Sequence, residues 1–188
     1  MRICIDPGHG MSNRKSGIYD SGAEGGGIQE SKVAMIWADT LKRTLEEMGH
    51  VVIRTRVDDR DPCPVSRRDD IARSYRCNRM LSIHCNAADG KANGTEVFYR
   101  GSDDKPLAEA LCAAVCESLG TKSRGARTES QSQHSALAVL DFDKCWLLEL
   151  GFIDHKGDRA KMLNAALMQS ACARIAKVLT DPYILTPL

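Results

Sequence analysis

Short apolar runs alternate along the chain with longer segments whose apolar positions recur every three or four residues. The runs predict strands at residues 2–6, 51–53, 80–84, 96–99, 137–140 and 145–149. The spaced positions predict helices over residues 29–48, 105–119 and 158–179, and Ser66 with Asp69 marks the start of another. Strands separated by helices indicate an α/β fold. We expect a twisted, mostly parallel (mixed) sheet of about six strands with helices on both faces.

Length and composition favour a single domain. The 188 residues are 43% hydrophobic, which suffices for one core, and no repeat or low-complexity linker interrupts them. We expect a catalytic domain over residues 1–180 and a C-terminal tail over residues 181–188. The net charge is +1 and no stretch concentrates Lys and Arg, which argues against binding to nucleic acid. No run approaches the roughly 20 apolar residues of a membrane span.

Two histidines stand where apolar runs give way to residues that break a strand. His9 follows the first run within a Pro-Gly-His-Gly sequence, and His84 ends the third run just before Cys85. Ligands of α/β proteins bind beyond the carboxyl ends of parallel strands, so the two imidazoles should meet at one edge of the sheet. A metal is the first ligand to consider there.

Two glutamates are candidates to complete this site. Glu30 opens the first long helix, where a carboxylate can equally serve the helix dipole, and Glu24 competes with it. Glu149 ends a strongly apolar run, where a carboxylate is costly to bury unless it is paired, bound or catalytic. Desolvation should raise its pKa and a nearby metal should lower it, as a general base requires. A buried arginine or backbone amides could instead satisfy it.

Two long polar stretches, residues 10–27 and 120–135, are expected to be irregular loops that wall the site. His134 lies in the second stretch and could line the cleft, although a solvated loop histidine is the simpler interpretation. Asp6, at the end of the first strand, could orient a ligand imidazole or serve the turn that follows.

The eight cysteines lie mainly within apolar patterns. Cys85 next to His84 suggests a Cys-His nucleophile, but adjacent residues of a strand point to opposite faces. Cys112 and Cys116 fit the buried stripe of a helix. The chain enters directly into a strand without an export signal, so we expect synthesis in the cytoplasm without a signal peptide, and reduced thiols.

Several short motifs occur in a fixed order from Ile3 to about Lys161. They are residues 6–10, Glu30, residues 55–56, 68–72, 82–87, 94–97 and 148–153. In this order they resemble the zinc-dependent N-acetylmuramoyl-L-alanine amidases of the Amidase_3 type. Such enzymes cut the amide between the lactyl group of N-acetylmuramic acid and the L-alanine of the stem peptide in peptidoglycan.

The resemblance implies a role for each candidate residue. It makes His9, Glu30 and His84 the ligands of Zn²⁺ and Glu149 the catalytic carboxylate. Further candidates, for contacts with the substrate, are Arg56, Arg68, Asn86 and His134, although ordinary salt bridges are the simpler interpretation of the two arginines.

Two other functions stay open at this point. A non-catalytic peptidoglycan-binding module would use zinc as a structural tie, which requires a fourth ligand and no base. A glycosidase would use Glu30 and Glu149 as a carboxylate pair and would leave the histidines unexplained.

The chain shows neither the export signal nor the separate wall-binding module that many cellular members of this family carry. We therefore expect a phage lysis enzyme, an endolysin, that acts on the cell wall after release by a separate protein such as a holin.

Overall fold

One six-stranded sheet organises the chain, of which the computed structural model describes residues 1–134 and 136–184. Its strands are β1 (Arg2–Pro7), β2 (Val51–Arg54), β3 (Arg79–Asn86), β4 (Thr95–Tyr99), β5 (Ser123–Thr128) and β6 (Cys145–Phe152). They lie in the order β2-β1-β3-β6-β4-β5, and neighbours are parallel except β6 and β4. The predicted α/β fold with a mixed, mostly parallel sheet is confirmed.

Five α-helices flank the sheet and divide unequally between its faces. They are α1 (Glu30–Glu47), α2 (Arg68–Ser74), α3 (Lys105–Leu119), α4 (Lys156–Met162) and α5 (Ala165–Thr180). Helices α1, α3 and α5 cover one face and pack on one another. Helix α2 and a 3₁₀ turn at Ala138–Asp141 cover a smaller apolar cluster on the other face.

Strand β6 shows how one strand serves both cores. Trp146 and Leu148 join the larger apolar cluster, whereas Cys145 and Leu147 join the smaller one on the opposite face. Successive side chains of a strand point to opposite faces, so burial of both faces requires a continuous apolar run. That run carries Glu149 into the middle of the sheet.

Helix α1 places Glu30 at its first turn, close to the predicted bounds of 29–48. Its buried stripe includes Val33, Trp37 and Leu41, and Trp37 Nε1 donates a 3.0 Å hydrogen bond to the carbonyl of Met162. Because this stripe is fixed against the core, the first turn of the helix holds Glu30 at a defined position over the strand ends.

Two expected elements differ from the structure. Residues 137–140, predicted as a strand, form the 3₁₀ turn at Ala138–Asp141. Its apolar residues are buried beneath α2, and they pair with none of the described strands. A short apolar run is compatible with either a strand or a buried turn, so the sequence pattern does not separate the two. The single helix predicted over 158–179 is two helices, because Asn164 caps the start of α5 by accepting a hydrogen bond from the Leu167 amide.

The two stretches predicted to be irregular contain additional strands. The second holds β5, an edge strand whose polar sequence lacks an apolar run. The first holds an antiparallel pair of two-residue strands, Gly10–Met11 with Tyr19–Asp20, and the strand Glu24–Gly25, whose partner Ile28–Gln29 follows the stretch. The second stretch is thus part of the main sheet, and the first accepts hydrogen bonds from the amides of Cys63 and Val65 at the carbonyls of Met11 and Asn13.

The eight cysteines carry no disulfide. Among the described residues, no helix has the length and apolar character needed to cross a membrane. Arg79 donates hydrogen bonds to the carbonyls of Leu179 and Asp181, at 2.7 and 3.0 Å, which holds the chain where α5 ends. Residues 185–188 of the predicted tail lie outside the described part of the chain.

Candidate metal centre and active site

The sheet brings the predicted site residues together at one edge. His9 lies two residues beyond β1, and His84 lies near the end of the neighbouring strand β3. Glu149 on β6 pairs in register with His84. Glu30, the first residue of α1, completes the group next to the strand ends.

Three of these side chains form a compact cluster. Glu30 Oε1 lies 3.0 Å from Nε2 of His9 and 2.8 Å from Nδ1 of His84. The two imidazole rings meet edge to face, with centroids 4.9 Å apart and planes at 72°. One ligand atom from each residue lies within 4.8 Å of the other two, so the cluster can hold one metal ion.

The Glu30 carboxylate is fixed by the backbone as well as by the imidazoles. The amides of Cys85 and Ala23 donate to its two oxygens at 2.9 and 2.8 Å. Burial raises the pKa of Glu30, but the bonds to His84 and His9 outweigh it and leave the pKa lowered. Glu30 is therefore ionised. Its competitor Glu24 instead accepts a surface hydrogen bond from Gln29.

Two glycines make room for the cluster. A Cβ at Gly8 would lie 2.3 Å from Cε1 of His84, which no real packing allows. A Cβ at Gly22 would lie 2.6 Å from Oε2 of Glu30 and 2.7 Å from Cδ2 of His9, and Gly22 also has φ +68°. His9 itself has φ 61°, a strained value for a residue with a side chain.

Asp20 contacts the ring nitrogen of His9 that faces away from Glu30. The sequence pattern does not indicate this role. Oδ2 of Asp20 lies 3.1 Å from Nδ1 of His9, so that Nε2 faces Glu30. Burial raises the pKa of Asp20, but bonds from Asn13 and the Gly22 amide lower it to about 2. A carboxylate behind a ligand imidazole fixes its orientation. Asp20 lies in a polar loop, where no periodic pattern marks it.

Asp6 serves the turn after β1 rather than a ligand imidazole. It accepts hydrogen bonds from Thr55 at 2.5 Å, Arg68 at 2.5 Å and Ser82 at 2.6 Å. Burial raises its pKa, but the Arg68 charge and the two hydroxyls outweigh burial and lower it. Of the two roles open in the sequence, the structural one is observed.

Arg56 and Arg68 hold the loop that carries His9. Their side chains are buried, and their guanidinium groups donate to the carbonyls of Pro7, Gly8 and His9 at 2.7 to 3.0 Å. Substrate contact by these two arginines stays a prediction. The observed bonds assign them to positioning the loop.

Glu149 is the unpaired carboxylate of the site. It lines a cavity of about 910 Å³ that also contains the His9, Glu30 and His84 cluster. Its Oε2 is buried and has no hydrogen-bond partner among residues 1–134 and 136–184, so no described arginine or backbone amide satisfies it. Desolvation, followed by the charges of Glu30 and Glu96, raises the pKa of Glu149 well above its usual value.

Glu96 is a second carboxylate that sequence inspection missed. It pairs in register with Glu149 across β4 and β6 and accepts a 2.7 Å hydrogen bond from Nδ2 of Asn86. Asn86 thereby lines the cavity, as does the exposed His134 at its outer wall. Their contact with substrate stays a prediction.

Cys85 points away from the site. Its Sγ lies 3.8 Å from Sδ of Met162 inside the core, and burial raises the pKa of its thiol. The adjacent His84 faces the cluster, as the alternation of a strand requires. A Cys-His nucleophile is therefore excluded.

A sheet edge that gathers two imidazoles and a carboxylate beside an unpaired carboxylate is the arrangement of a hydrolytic enzyme. The chain belongs to the Amidase_3 family of N-acetylmuramoyl-L-alanine amidases, whose family model it matches over residues 3–181.

Individual relatives agree with this assignment. The N-acetylmuramoyl-L-alanine amidase LytC of Bacillus subtilis (strain 168) is 31% identical over 180 residues, which cover 92% of this chain but only 34% of LytC. Cwp6 from Clostridium difficile has a TM-score of 0.81 at 29% identity, over 95% of this chain and 28% of Cwp6. The catalytic domain of CwlV, an N-acetylmuramoyl-L-alanine amidase from Bacillus (Paenibacillus) polymyxa var. colistinus, has a TM-score of 0.81 at 25% identity, over 95% and 96% of the two chains.

Proposed function

We propose that this protein is a zinc-dependent N-acetylmuramoyl-L-alanine amidase that cleaves the lactyl–L-alanine amide of peptidoglycan. One observation carries the proposal: the ligand atoms of His9, Glu30 and His84 converge within 4.8 Å in the cavity that also exposes the unpaired Glu149. Membership of the amidase family supports the substrate and the bond.

The residues present fit zinc. Two imidazoles and one carboxylate form a donor set of catalytic zinc sites, which keep one position open for water or substrate. Glu30 is ionised, and Asp20 holds the His9 ring, so two of the three ligands are already oriented. The chemistry that zinc supplies when bound is polarisation of the amide carbonyl and activation of a water.

Glu149 moves the protons of the reaction. Its carboxylate takes a proton from the attacking water and returns it to the departing alanine nitrogen, which then leaves as a neutral amine. The raised pKa of Glu149 and its lack of a hydrogen-bond partner suit this exchange. A cation held by His9, Glu30 and His84 would oppose this rise in the pKa of Glu149.

The two alternative functions have less support. Glu30 has a lowered pKa and is held by two imidazoles and two backbone amides, so it is a poor general acid for a glycosidase. A purely structural metal would need a fourth protein ligand, whereas the described residues of the cluster number three. A buried Glu149 without a hydrogen-bond partner would then destabilise the fold and have no catalytic role to explain it.

Purified cell walls distinguish these functions. We expect new amino-terminal alanine, no new reducing sugar, loss of activity with a chelator and recovery on addition of zinc. Release of reducing ends would identify a glycosidase, and binding without cleavage would identify a non-catalytic module. Full activity in metal-free protein would exclude the zinc mechanism.

The role of a phage lysis enzyme released by a holin stays a prediction. The proposal above does not depend on it, because the same site would serve a cellular or a phage enzyme.

A further inference from the structure

The cavity has a positively charged wall that the reaction described above does not use. Arg124 and Arg127 both lie on β5, line the cavity and keep 28% and 34% of their side chains exposed. Their Nε atoms lie 2.8 and 3.1 Å from the same oxygen of Glu96, Oε2. Glu96 in turn pairs in register with Glu149, so this wall adjoins the catalytic carboxylate.

A bulge in β5 directs both arginines to the same side. Residues three apart on a regular strand point to opposite faces. Here Thr95 pairs with Ser123 but Glu96 pairs with Gly125, so Arg124 is an extra residue that resets the alternation. Gly125 has φ +84°, a conformation that favours glycine. Bulges of this kind re-aim side chains near functional sites.

The two arginines of this wall carry more positive charge than the carboxylate that pairs with them can neutralise. One carboxylate, Glu96, faces two guanidinium groups, and it also accepts the hydrogen bond from Asn86. Among the described residues, no hydrogen bond engages the Nη atoms of Arg124 or Arg127, whose Nε atoms donate to Glu96 and to the carbonyl of Arg124, respectively. Arg124 is further held by the ring of Phe152, whose centroid lies 5.0 Å from its Cζ.

A carboxylate of the substrate is the ligand that these groups fit. Guanidinium donors bind carboxylates through paired, charge-assisted hydrogen bonds. We propose, on the basis of the amidase function, that Arg124 and Arg127 form a subsite for the free α-carboxylate of D-glutamate at the second position of the stem peptide.

The distances favour the second stem residue. Strand β5 is two strand spacings from β6, about 10 Å, and the arginine side chains reach back over β4 toward the cavity. One peptide residue spans about 3.5 Å, so a carboxylate on the second residue falls between the scissile amide and the arginines.

Two matched substrates test the subsite. They are disaccharide peptides that differ only at the second stem residue, which is D-glutamate with a free α-carboxylate in one and its α-carboxamide in the other. We expect the zinc-loaded wild-type protein to cleave the carboxylate form with a KM at least about fivefold lower and a similar kcat. Calorimetry with the peptides L-alanyl-γ-D-glutamate and its α-amide gives the same comparison without turnover.

Arg127→Gln is the decisive variant, because Arg127 lacks the aromatic contact that also holds Arg124. It should raise the KM of the carboxylate substrate and leave that of the amide unchanged, so that the preference disappears. Arg127→Lys keeps the charge and should recover part of the preference. Arg174→Gln is the matched control, because Arg174 forms an exposed ion pair with Glu117 away from the cavity.

The possible outcomes separate the two proposals. If the wild-type protein cleaves neither substrate, the amidase function fails and the subsite fails with it. If it cleaves both with equal KM, or if Arg127→Gln changes both equally, the subsite is wrong and the amidase function stands. The wild-type comparison needs no variant, so a failure of Arg127→Gln to fold leaves the proposal testable.

Discussion

Glu30 and Glu149 have the same side chain but lie in opposite environments. Glu30 receives two backbone amides and faces two imidazoles, and its pKa is lowered. Oε2 of Glu149 receives no hydrogen bond from the described residues, and desolvation together with the charges of Glu30 and Glu96 raises the pKa of Glu149. The two environments move the pKa values of the two carboxyl groups apart. This difference supports metal binding by Glu30 and proton transfer by Glu149.

The first prediction separates these two roles. Glu149→Gln should keep its fold and zinc content but lose at least about 10²-fold in kcat, because an amide cannot accept the water proton. Glu30→Gln should mainly weaken zinc binding. Metal content, circular dichroism and turnover on cell walls measure both effects, and Glu47→Gln, an exposed change at the end of α1, is the control.

Loss of zinc from Glu149→Gln, or near-normal turnover in it, would mean that the two glutamates are assigned wrongly. The glutamine in Glu30→Gln should leave the Glu149 carboxylate unaltered, so excess zinc should restore part of its activity.

Elements with an apolar periodic pattern could be predicted from the sequence, and polar ones could not. Strands β1, β3 and β6 are buried, so their apolar runs are visible and the residues at their ends could be found. Strand β5 lies at the sheet edge with a bulge and a polar sequence, a pattern that predicts a loop. The same reason hid Arg124 and Arg127, whereas Glu96 lies in a strand that the pattern predicts but whose neighbours across the sheet it does not.

Buried positive charge is a second feature that the sequence leaves open. Arg56 and Arg68 are candidates for contacts with substrate carboxylates, with ordinary salt bridges as the simpler interpretation, and their contact with substrate stays a prediction. The structure buries both of them against backbone carbonyls of the loop after β1. A sequence does not show that a loop needs such internal donors until the course of its backbone is known.

The second prediction concerns the loop between β1 and α1. Gly22→Ala and Gly17→Ala both place a side chain at positive φ, +68° and +73°. Each should cost about 1 to 2 kcal/mol of stability. Only Gly22→Ala should also weaken zinc binding, because its Cβ would overlap Glu30 and His9 whereas nothing lies within 4 Å at Gly17.

Urea unfolding and a competitive zinc titration measure the two effects separately. Equal zinc affinity in the two variants would show that the loop moves freely enough to absorb the new methyl group.

At the scale of the whole molecule, one buried ion pair joins β1 to α2. Asp6 and Arg68 are almost fully buried, and their atoms meet at 2.5 Å. Thr55 and Ser82 extend this network to the segments beyond β2 and within β3. Breaking a buried pair by removing one partner typically costs about 3 to 5 kcal/mol, because the other charge is left uncompensated.

The third prediction follows from the lowered pKa of Asp6. Its contribution to stability should be complete above the unfolded pKa of about 3.9 and should be lost as the pH falls through the lower folded pKa. Asp6→Asn should therefore destabilise the protein strongly at pH 7, and the difference from wild type should shrink in strong acid. Urea unfolding at several pH values checks this, and a difference independent of pH would contradict it.

The position of β6 has a consequence for the time at which activity arises. It is the last strand in chain order, yet it lies at the centre of the sheet, between β3 and β4. Until the ribosome releases residues 145–152, β4 and β5 have no described strand that joins them to β3, and Glu149 cannot take its place opposite His84. The proposed active site therefore assembles late, since the strand that completes the sheet also carries Glu149, the proposed base.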